Sequence, residues 1–392
     1  MNPFPLQPRR SRTGFTLVEM MAAIAVLGLL VLLIANLFSS ATTVTRLSTV
    51  RLDADTQARL VFDRMAADFA WMLRRPDVDF HFLKQNDNAG PPSAPPYSDT
   101  FFFFSEVPGY FSSSETSANE SNTSLVGYRI NSTTFQLERM AWGLTWDLDT
   151  YSFPLVYLTY NSTTTYAPLA ASTIAASGAN WAGIDSSTYN TTDNTATTPG
   201  GNFHVLGDSV FRMEYCFLLK DGTYSVVPAI NTGAAANNLS ANLPPTQTTT
   251  GYTVNSRWYD TTNNHAYICT YANANGSTET WRPLGMADVQ AIVVTIAILN
   301  QTSQKLIPTA KLTTSLQAMA TALQGPTWNP TTGRLNNSVP SGQTQTTPPV
   351  LMASTWQNEV NQTSFATTAQ VPQAVAGQVR IYQRFFYLNN TF

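Results

Sequence analysis

The residue whose chemistry stands out is Glu19. It lies in the run Phe15 to Phe38, FTLVEMMAAIAVLGLLVLLIANLF, where Thr16 and Asn36 are its only polar companions. A charged side chain near a bilayer centre costs about 2.5–3.5 kcal/mol on insertion scales, so a carboxylate there calls for a partner. Other chemistry is sparse. His81, His204 and His265 are widely spaced, and no HExxH, GxSxG or phosphate-cradling glycine loop accompanies them. No catalytic or cofactor-binding residues are therefore assigned, and no enzyme is expected. Asp185, Asp193 and Asp208 have the oxygen chemistry of calcium ligands, but no compact ligand loop holds them, so no metal site is assigned. Cys216 and Cys269 are the two cysteines. Each falls in an expected strand, and two readings stay open: a disulfide between them, or two independent buried thiols.

The element that positions Glu19 is the apolar run itself. Its 24 residues make a helix of roughly 36 Å at about 1.5 Å per residue. That length crosses a hydrocarbon core of about 30 Å with some tilt. A secretory signal would have a shorter apolar core closed by an Ala-x-Ala-like site, and none follows here. A plain membrane anchor fits the length but leaves Glu19 unexplained. Arg9, Arg10 and Arg12 precede the run with no acid among them, which places the N-terminus in the cytoplasm and the chain beyond Phe38 across the inner membrane.

The helix is expected to continue. Leu47, Val50, Ala54, Ala58, Val61, Met65, Phe69 and Met72 recur three or four apart, the period of one helix face. Pro76 should end it near Arg75. Phe15 to Arg75 would then be one helix about 90 Å long.

Beyond it the chain reads as β. Thr100 to Ser105 holds four consecutive phenylalanines, as in a strand buried on both faces. Leu125 to Ile130 and Thr134 to Arg139 flank Asn131-Ser132-Thr133 as a hairpin. Val210 to Leu219 puts Phe211, Met213, Tyr215, Phe217 and Leu219 on one face and runs into the turn Lys220-Asp221-Gly222. Asp288 to Leu299 suits a central strand. Gln378 to Leu388 is a late strand with Val379, Ile381, Phe385 and Tyr387 on one side. Leu312, Leu316, Met319 and Leu323 predict a short amphipathic helix, and Thr327 to Pro349 reads as a linker.

Charged residues make up 11% of the chain, against about a quarter in ordinary globular proteins. Ser, Thr and Asn replace them, which suits an exported or filament-forming protein. With a net charge of −3 and no basic stripe, nucleic acid is excluded as a partner.

Gly14-Phe15-Thr16-Leu17-Val18-Glu19, behind its arginine-bearing leader, resembles the processing motif of type IV prepilins and type II secretion pseudopilins. The resemblance implies that a prepilin peptidase cuts between Gly14 and Phe15 and that Phe15 is N-methylated. Loss of the leader removes three arginines and no acid, moving the formal charge from −3 to −6. It further implies that Glu19 is the assembly residue, neutralising the terminal amine of a neighbouring prepilin-like subunit.

The Asp68…Arg74-Arg75 segment, the Tyr128-Arg129…Leu137-Glu138-Arg139 hairpin and the two long strands resemble minor pseudopilin J. Val379 to Leu388 and the overall layout look like the Verru_Chthon cassette protein C family.

The expected fold is therefore α+β and pilin-like, a long N-terminal transmembrane helix packed on an antiparallel β-rich head with long polar insertions. The expected divisions are a leader at 1–14, a transmembrane half-helix at 15–38, an amphipathic periplasmic half at 39–76, a linker at 77–100 and a head at 101–392. Insertions fall at about 161–201, 229–284 and 300–377. The localisation implied is the bacterial inner membrane, single-pass, with the head periplasmic or in an extracytoplasmic filament. An alternative is an anchored adhesin or receptor for secreted cargo or polysaccharide. It draws on the aromatic-rich stretch Gly251 to Leu284, which a two-hairpin insertion explains equally well.

Overall fold

Helix α1 spans Leu17–Ala70, 54 residues built largely from Ala, Leu, Met and other good helix formers without a proline. The computed structural model describes residues 16–76, 78, 80–84, 98–110, 120–131, 133–145, 159–161, 165–167, 203–230, 237–240, 252–260, 265–272, 279–323, 325, 335 and 351–388. The chain divides into two compact units, Met1–Asp53 and Ala54–Phe392.

Helix α1 stops short of the Arg75 that Pro76 suggests, because strand β2 (Thr100–Ser105) captures the backbone first. Met72 bridges Ser105, Leu73 N–H donates to the Phe104 carbonyl at 2.8 Å, and Glu106 N–H donates to the Trp71 carbonyl at 3.0 Å. Ala54, Ala58, Val61, Met65, Phe69 and Met72 of the expected face are buried, joined by Phe62. Val50 is half-buried, and the Leu47 side chain lies outside the described residues.

Two antiparallel sheets share this core. The first has the order β1-β2-β3-β4-β7, with β1 Phe80–Leu83, β3 Glu120–Ile130, β4 Leu137–Thr145 and β7 Phe203–Gly207. Strand β1 lies inside the stretch expected to be a linker; its Phe80 and Phe82 are buried, which gives those residues a reason to pair with β2. The phenylalanine strand is buried on both faces, as expected. Phe101 and Phe103 face Phe69 of α1 at 5.7 and 5.0 Å between rings, while Phe102 and Phe104 join Val78, Leu125, Met140 and Phe203 in a second cluster. Gly127 lies opposite Phe102, where a Cβ would come within 2.4 Å of two ring atoms, so only glycine fits.

The β3–β4 connection is longer than a tight hairpin. Asn131 Oδ1 accepts from the Thr133 and Thr134 amides, and Phe135 takes a φ of 52° that turns its side chain into the core. Strand β4 therefore starts at Leu137 rather than Thr134.

Strands β5 (Thr159–Asn161) and β6 (Thr165–Ala167) form a separate two-stranded ladder. The remainder of the insertion expected at 161–201 lies outside the described residues.

The second sheet has the order β15-β14-β8-β9, with β8 Val210–Leu219, β9 Tyr224–Ser225, β14 Val289–Ile298 and β15 Arg380–Tyr387. Strand β14 is central, as its unbroken apolar run requires, and Gly222 turns the β8–β9 hairpin at a φ of 81°. On β15 the face toward α1 is the even one. Tyr382 donates to Asp55 at 2.5 Å, Arg384 to Asp63 at 2.6 Å, and Phe386 packs on Phe62 and Phe69. Phe385 and Tyr387 stack on the opposite side, and Tyr387 is exposed.

Much of 300–377 is structural rather than a polar insertion. Helices α3 (Leu312–Ala322), α4 (Met352–Asn361), α5 (Phe365–Thr368) and α6 (Gln373–Ala376) send Leu316, Met319, Trp356, Val360, Phe365 and Val375 into the main core, after a short α2 (Gln301–Gln304) that buries Ser303. Within Thr327 to Pro349 only residue 335 is described; Leu335 N–H donates to the Tyr224 carbonyl.

A four-stranded sheet ordered β10-β11-β12-β13 (Asn237–Ser240, Arg257–Asp260, His265–Ala272 and Glu279–Pro283) comes from the stretch 229–284. Arg257 grips Asp288 through Nε at 2.9 Å and Nη2 at 3.1 Å, tying this sheet to the base of β14.

Candidate functional site

At the start of α1, Thr16 and Glu19 hold each other. Glu19 Oε2 accepts from the Thr16 amide at 2.9 Å and from the Thr16 hydroxyl at 3.0 Å. Thr16 Oγ1 in turn accepts from the Glu19 amide at 3.3 Å. This is a reciprocal capping box: Thr16 stands at the N-cap, Glu19 three residues on, and each satisfies a backbone N–H that the helix leaves without a partner. The Thr-x-x-Glu spacing was visible in the sequence, and the capping role of Glu19 is the reading that charge alone missed. Glu19 thus has an intrachain partner, so a membrane anchor no longer leaves it unexplained. Oε2 takes both Thr16 donors, and Oε1 has no partner among the described residues. Gly14 and Phe15, the expected processing residues, lie outside the described residues.

From Leu17 to Thr42 the helix is apolar, 26 residues long and without buried side chains, long enough to cross a membrane once. Leu17, Val18, Met20, Met21 and Ile24 all present bare hydrocarbon beside Glu19.

Farther along α1, Asp68 gathers the hairpin residues that the sequence singled out. Arg139 donates from Nε to Oδ2 at 2.6 Å and from Nη2 to Oδ1 at 2.9 Å, and the Tyr128 hydroxyl donates to Oδ2 at 2.5 Å. Burial, and then the Asp68 carboxylate, push the Tyr128 hydroxyl well above its usual range, so it remains a donor. Across the sheet Arg129 pairs with Glu138 at 3.0 Å, and Asn131 donates to the other Glu138 oxygen at 2.7 Å. Arg74 and Arg75 follow the helix. These contacts fasten the helix to the sheet.

The remaining sequence candidates separate. Asp208 accepts from the side-chain amides of Gln57, at 2.5 Å, and of Gln301. Its oxygens are held by neutral donors on α1 and α2 rather than gathered with other carboxylates. Asp185 and Asp193 lie outside the described residues.

Cys216 and Cys269 are both free and buried, so the disulfide reading is corrected. Cys216 sits among Val293, Met352 and Leu218 in the second sheet, whereas Cys269 is enclosed by Tyr252, Trp258, Tyr267 and Trp281 in the small sheet. Separate clusters on separate sheets keep the two sulfurs apart. Burial pushes the Cys216 thiol up to about 12.

The aromatic stretch that favoured carbohydrate binding is largely spent on that same cluster. Tyr252, Trp258 and Trp281 pack edge to face with centroids 5.3–6.3 Å apart and form the small sheet's own core. Tyr271, 54% exposed, is the large aromatic the small sheet leaves to solvent among the described residues. A sugar platform needs exposed ring faces, and here the indoles are buried.

Residues 9–35 match the family model described as the prokaryotic N-terminal methylation motif. The matched stretch takes in Arg9, Arg10 and Arg12, then Gly14, Phe15 and the Thr16–Glu19 box, and most of the apolar helix. The N-terminus is prepilin-like, and the helix that follows fits a single-pass membrane anchor. No curated protein and no solved structure matches the chain.

Proposed function

We propose that this chain is a minor pilin or pseudopilin, a structural subunit of a type IV pilus-like or type II secretion filament. The observation that carries the reading is the exposed apolar helix opening on Thr16 and Glu19, inside the residues that match the methylation motif. In this reading prepilin peptidase removes Met1 to Gly14, Phe15 is N-methylated, and residues 15–38 bundle with other prepilin-like subunits in the inner membrane. Residues 54–392 form the extracytoplasmic head. The arrangement of Asp68 on the helix against the Tyr128 and Arg139 strand pair supports the finer likeness to minor pseudopilin J.

Intact mass of the mature protein tests the reading. The expected species lacks Met1 to Gly14 and carries one methyl group on Phe15. Co-purification with short prepilin-like subunits from membranes is the second expectation. A chain that keeps its leader in a host with active prepilin peptidase would overturn the proposal.

A further inference from the structure

At the neck of the β1–β2 hairpin, Leu83 pairs with Thr100, so the next residues out, Lys84 and Asp99, face each other across the strands. Lys84 Nζ lies 2.6 Å from Asp99 Oδ2 and 3.2 Å from Glu214 Oε2 on β8. All three are mostly or fully buried: the Asp99 side chain is 1% exposed, Glu214 7% and Lys84 17%. The Tyr215 ring, 5.2 Å from Nζ, and Met352 wall the site. The backbone is fixed as well, because Asp99 N–H donates to the Met213 carbonyl at 3.0 Å, along the β8 edge that short β9 leaves open. Arg212 completes the group by donating to the other Glu214 oxygen and to the Ala320 carbonyl.

We propose that Lys84 and Asp99 condense into an intramolecular isopeptide bond, with Glu214 carrying the proton. One C–O length beyond Oδ2, the Asp99 Cγ is no more than about 3.8 Å from Nζ, close to the 3–3.5 Å of a near-attack geometry.

The resting state is the ion pair, since the two carboxylates hold Lys84 protonated against the pull of burial. The step begins when the Nζ proton passes along the 2.6 Å hydrogen bond to Asp99, whose carboxyl burial pushes up to about 6. The neutral amine then attacks Cγ and forms the C–N bond. Oδ1 takes the developing negative charge, while the Tyr215 N–H, 2.9 Å from the protonated Oδ2, holds the leaving oxygen in place. Glu214 accepts the surplus proton from nitrogen and returns it to the already protonated Oδ2, whose C–O bond breaks to release water while Oδ1 becomes the amide oxygen. An ammonium and a carboxylate become one amide and one water, with no redox change and no co-reactant.

The charge inventory favours the product. Condensation removes one buried charge of each sign and leaves Arg212 and Glu214 as a neutral pair, which lifts a desolvation penalty that the ion pair carries. The bond would fasten β1 to β2 where their pairing ends at Leu83 and Thr100.

Intact mass of the full chain, corrected for processing at its N-terminus, reads the bond directly. The wild type should be one water lighter than its sequence, and a digest should yield a branched peptide joining Lys84 to Asp99. Lys84→Arg keeps the positive charge but cannot condense, and Glu214→Gln removes the proton carrier; both should recover the full sequence mass. Linear peptides containing unmodified Lys84 and Asp99 from the wild type overturn the proposal. So does a water deficit that persists in Lys84→Arg, which would mark dehydration elsewhere in the chain. Because the wild-type digest decides the matter, it does not depend on the variants folding.

Discussion

Arg139 closes a two-point bond on Asp68, Nε to Oδ2 at 2.6 Å and Nη2 to Oδ1 at 2.9 Å, and so fastens the first sheet to helix α1. Asp68 is fully buried and its oxygens also hold the Tyr128 hydroxyl, so removing it strands a guanidinium and a phenol together. Asp68→Ala should destabilise the head by about 3–5 kcal/mol, the usual cost of leaving half of a buried ion pair behind. Asp68→Leu combined with Arg139→Met should recover part of that loss, because the apolar pair carries no unpaired charge. Denaturant unfolding of the two variants checks the ordering. Equal losses would mean that the bond contributes packing alone.

The thiols give a second test. Cys216 and Cys269 are free in separate clusters, and burial pushes Cys216 up to about 12, so little thiolate exists at neutral pH. Two thiols should titrate in unfolded, unreduced protein. In the folded protein Cys216 should react only as fast as the head opens. A single rapid thiol under native conditions would contradict the enclosure described for that site.

The helix layer over β8 rests on Trp356. Its ring is fully buried in the main core, with the Arg212 guanidinium 5.1 Å from its centroid, and its Nε1–H has no hydrogen-bond partner among the described residues. Trp356→Ala should cost about 3–5 kcal/mol through the cavity it leaves. Trp356→Phe keeps most of the apolar volume and deletes the orphan donor, so it should cost less than about 1.5 kcal/mol. Melting temperatures of the pair distinguish a core role from a surface one, for which both changes would be small.

Trp356 also shows where the sequence stopped being informative. The long elements were legible because each carries an uninterrupted signal: the 3–4 spacing from Ala54 to Met72, the four phenylalanines of β2, and the apolar run of β14. Helices α4 to α6 sit in Thr-, Asn- and Gln-rich chain with an apolar residue only every three or four positions, so composition masks their inward faces. Strand β1 is four residues long, and four residues between a helix end and a proline-rich stretch give no period to read. The capping box was legible and was overshadowed by the charge of Glu19. The Lys84–Asp99–Glu214 group was not, because residues 84, 99 and 214 meet only once the hairpin register and the β8 edge are fixed.

Glu19 carries the last prediction, because its two roles can be separated by substitution. As a cap it needs an acceptor that reaches Thr16, which a glutamine also provides. As the counter-ion of a neighbour's terminal amine it needs its charge, and Oε1 is the oxygen that the capping box leaves available. Glu19→Gln therefore keeps the cap and loses the charge, while Thr16→Val loses the hydroxyl of the cap and keeps the charge. If Glu19 pairs with an amine during assembly, Glu19→Gln and Glu19→Val should both insert and be cleaved but fail to recover partner pilins from membranes. Thr16→Val should still recover them. In a low-dielectric bundle such a pair fixes axial register more than it adds stability, so the defect should appear as lost co-assembly rather than as a less stable head. The opposite pattern, with Glu19→Gln recovering partners at the wild-type level and Thr16→Val failing, would assign Glu19 to the helix start alone and leave the neighbour's amine to another acceptor.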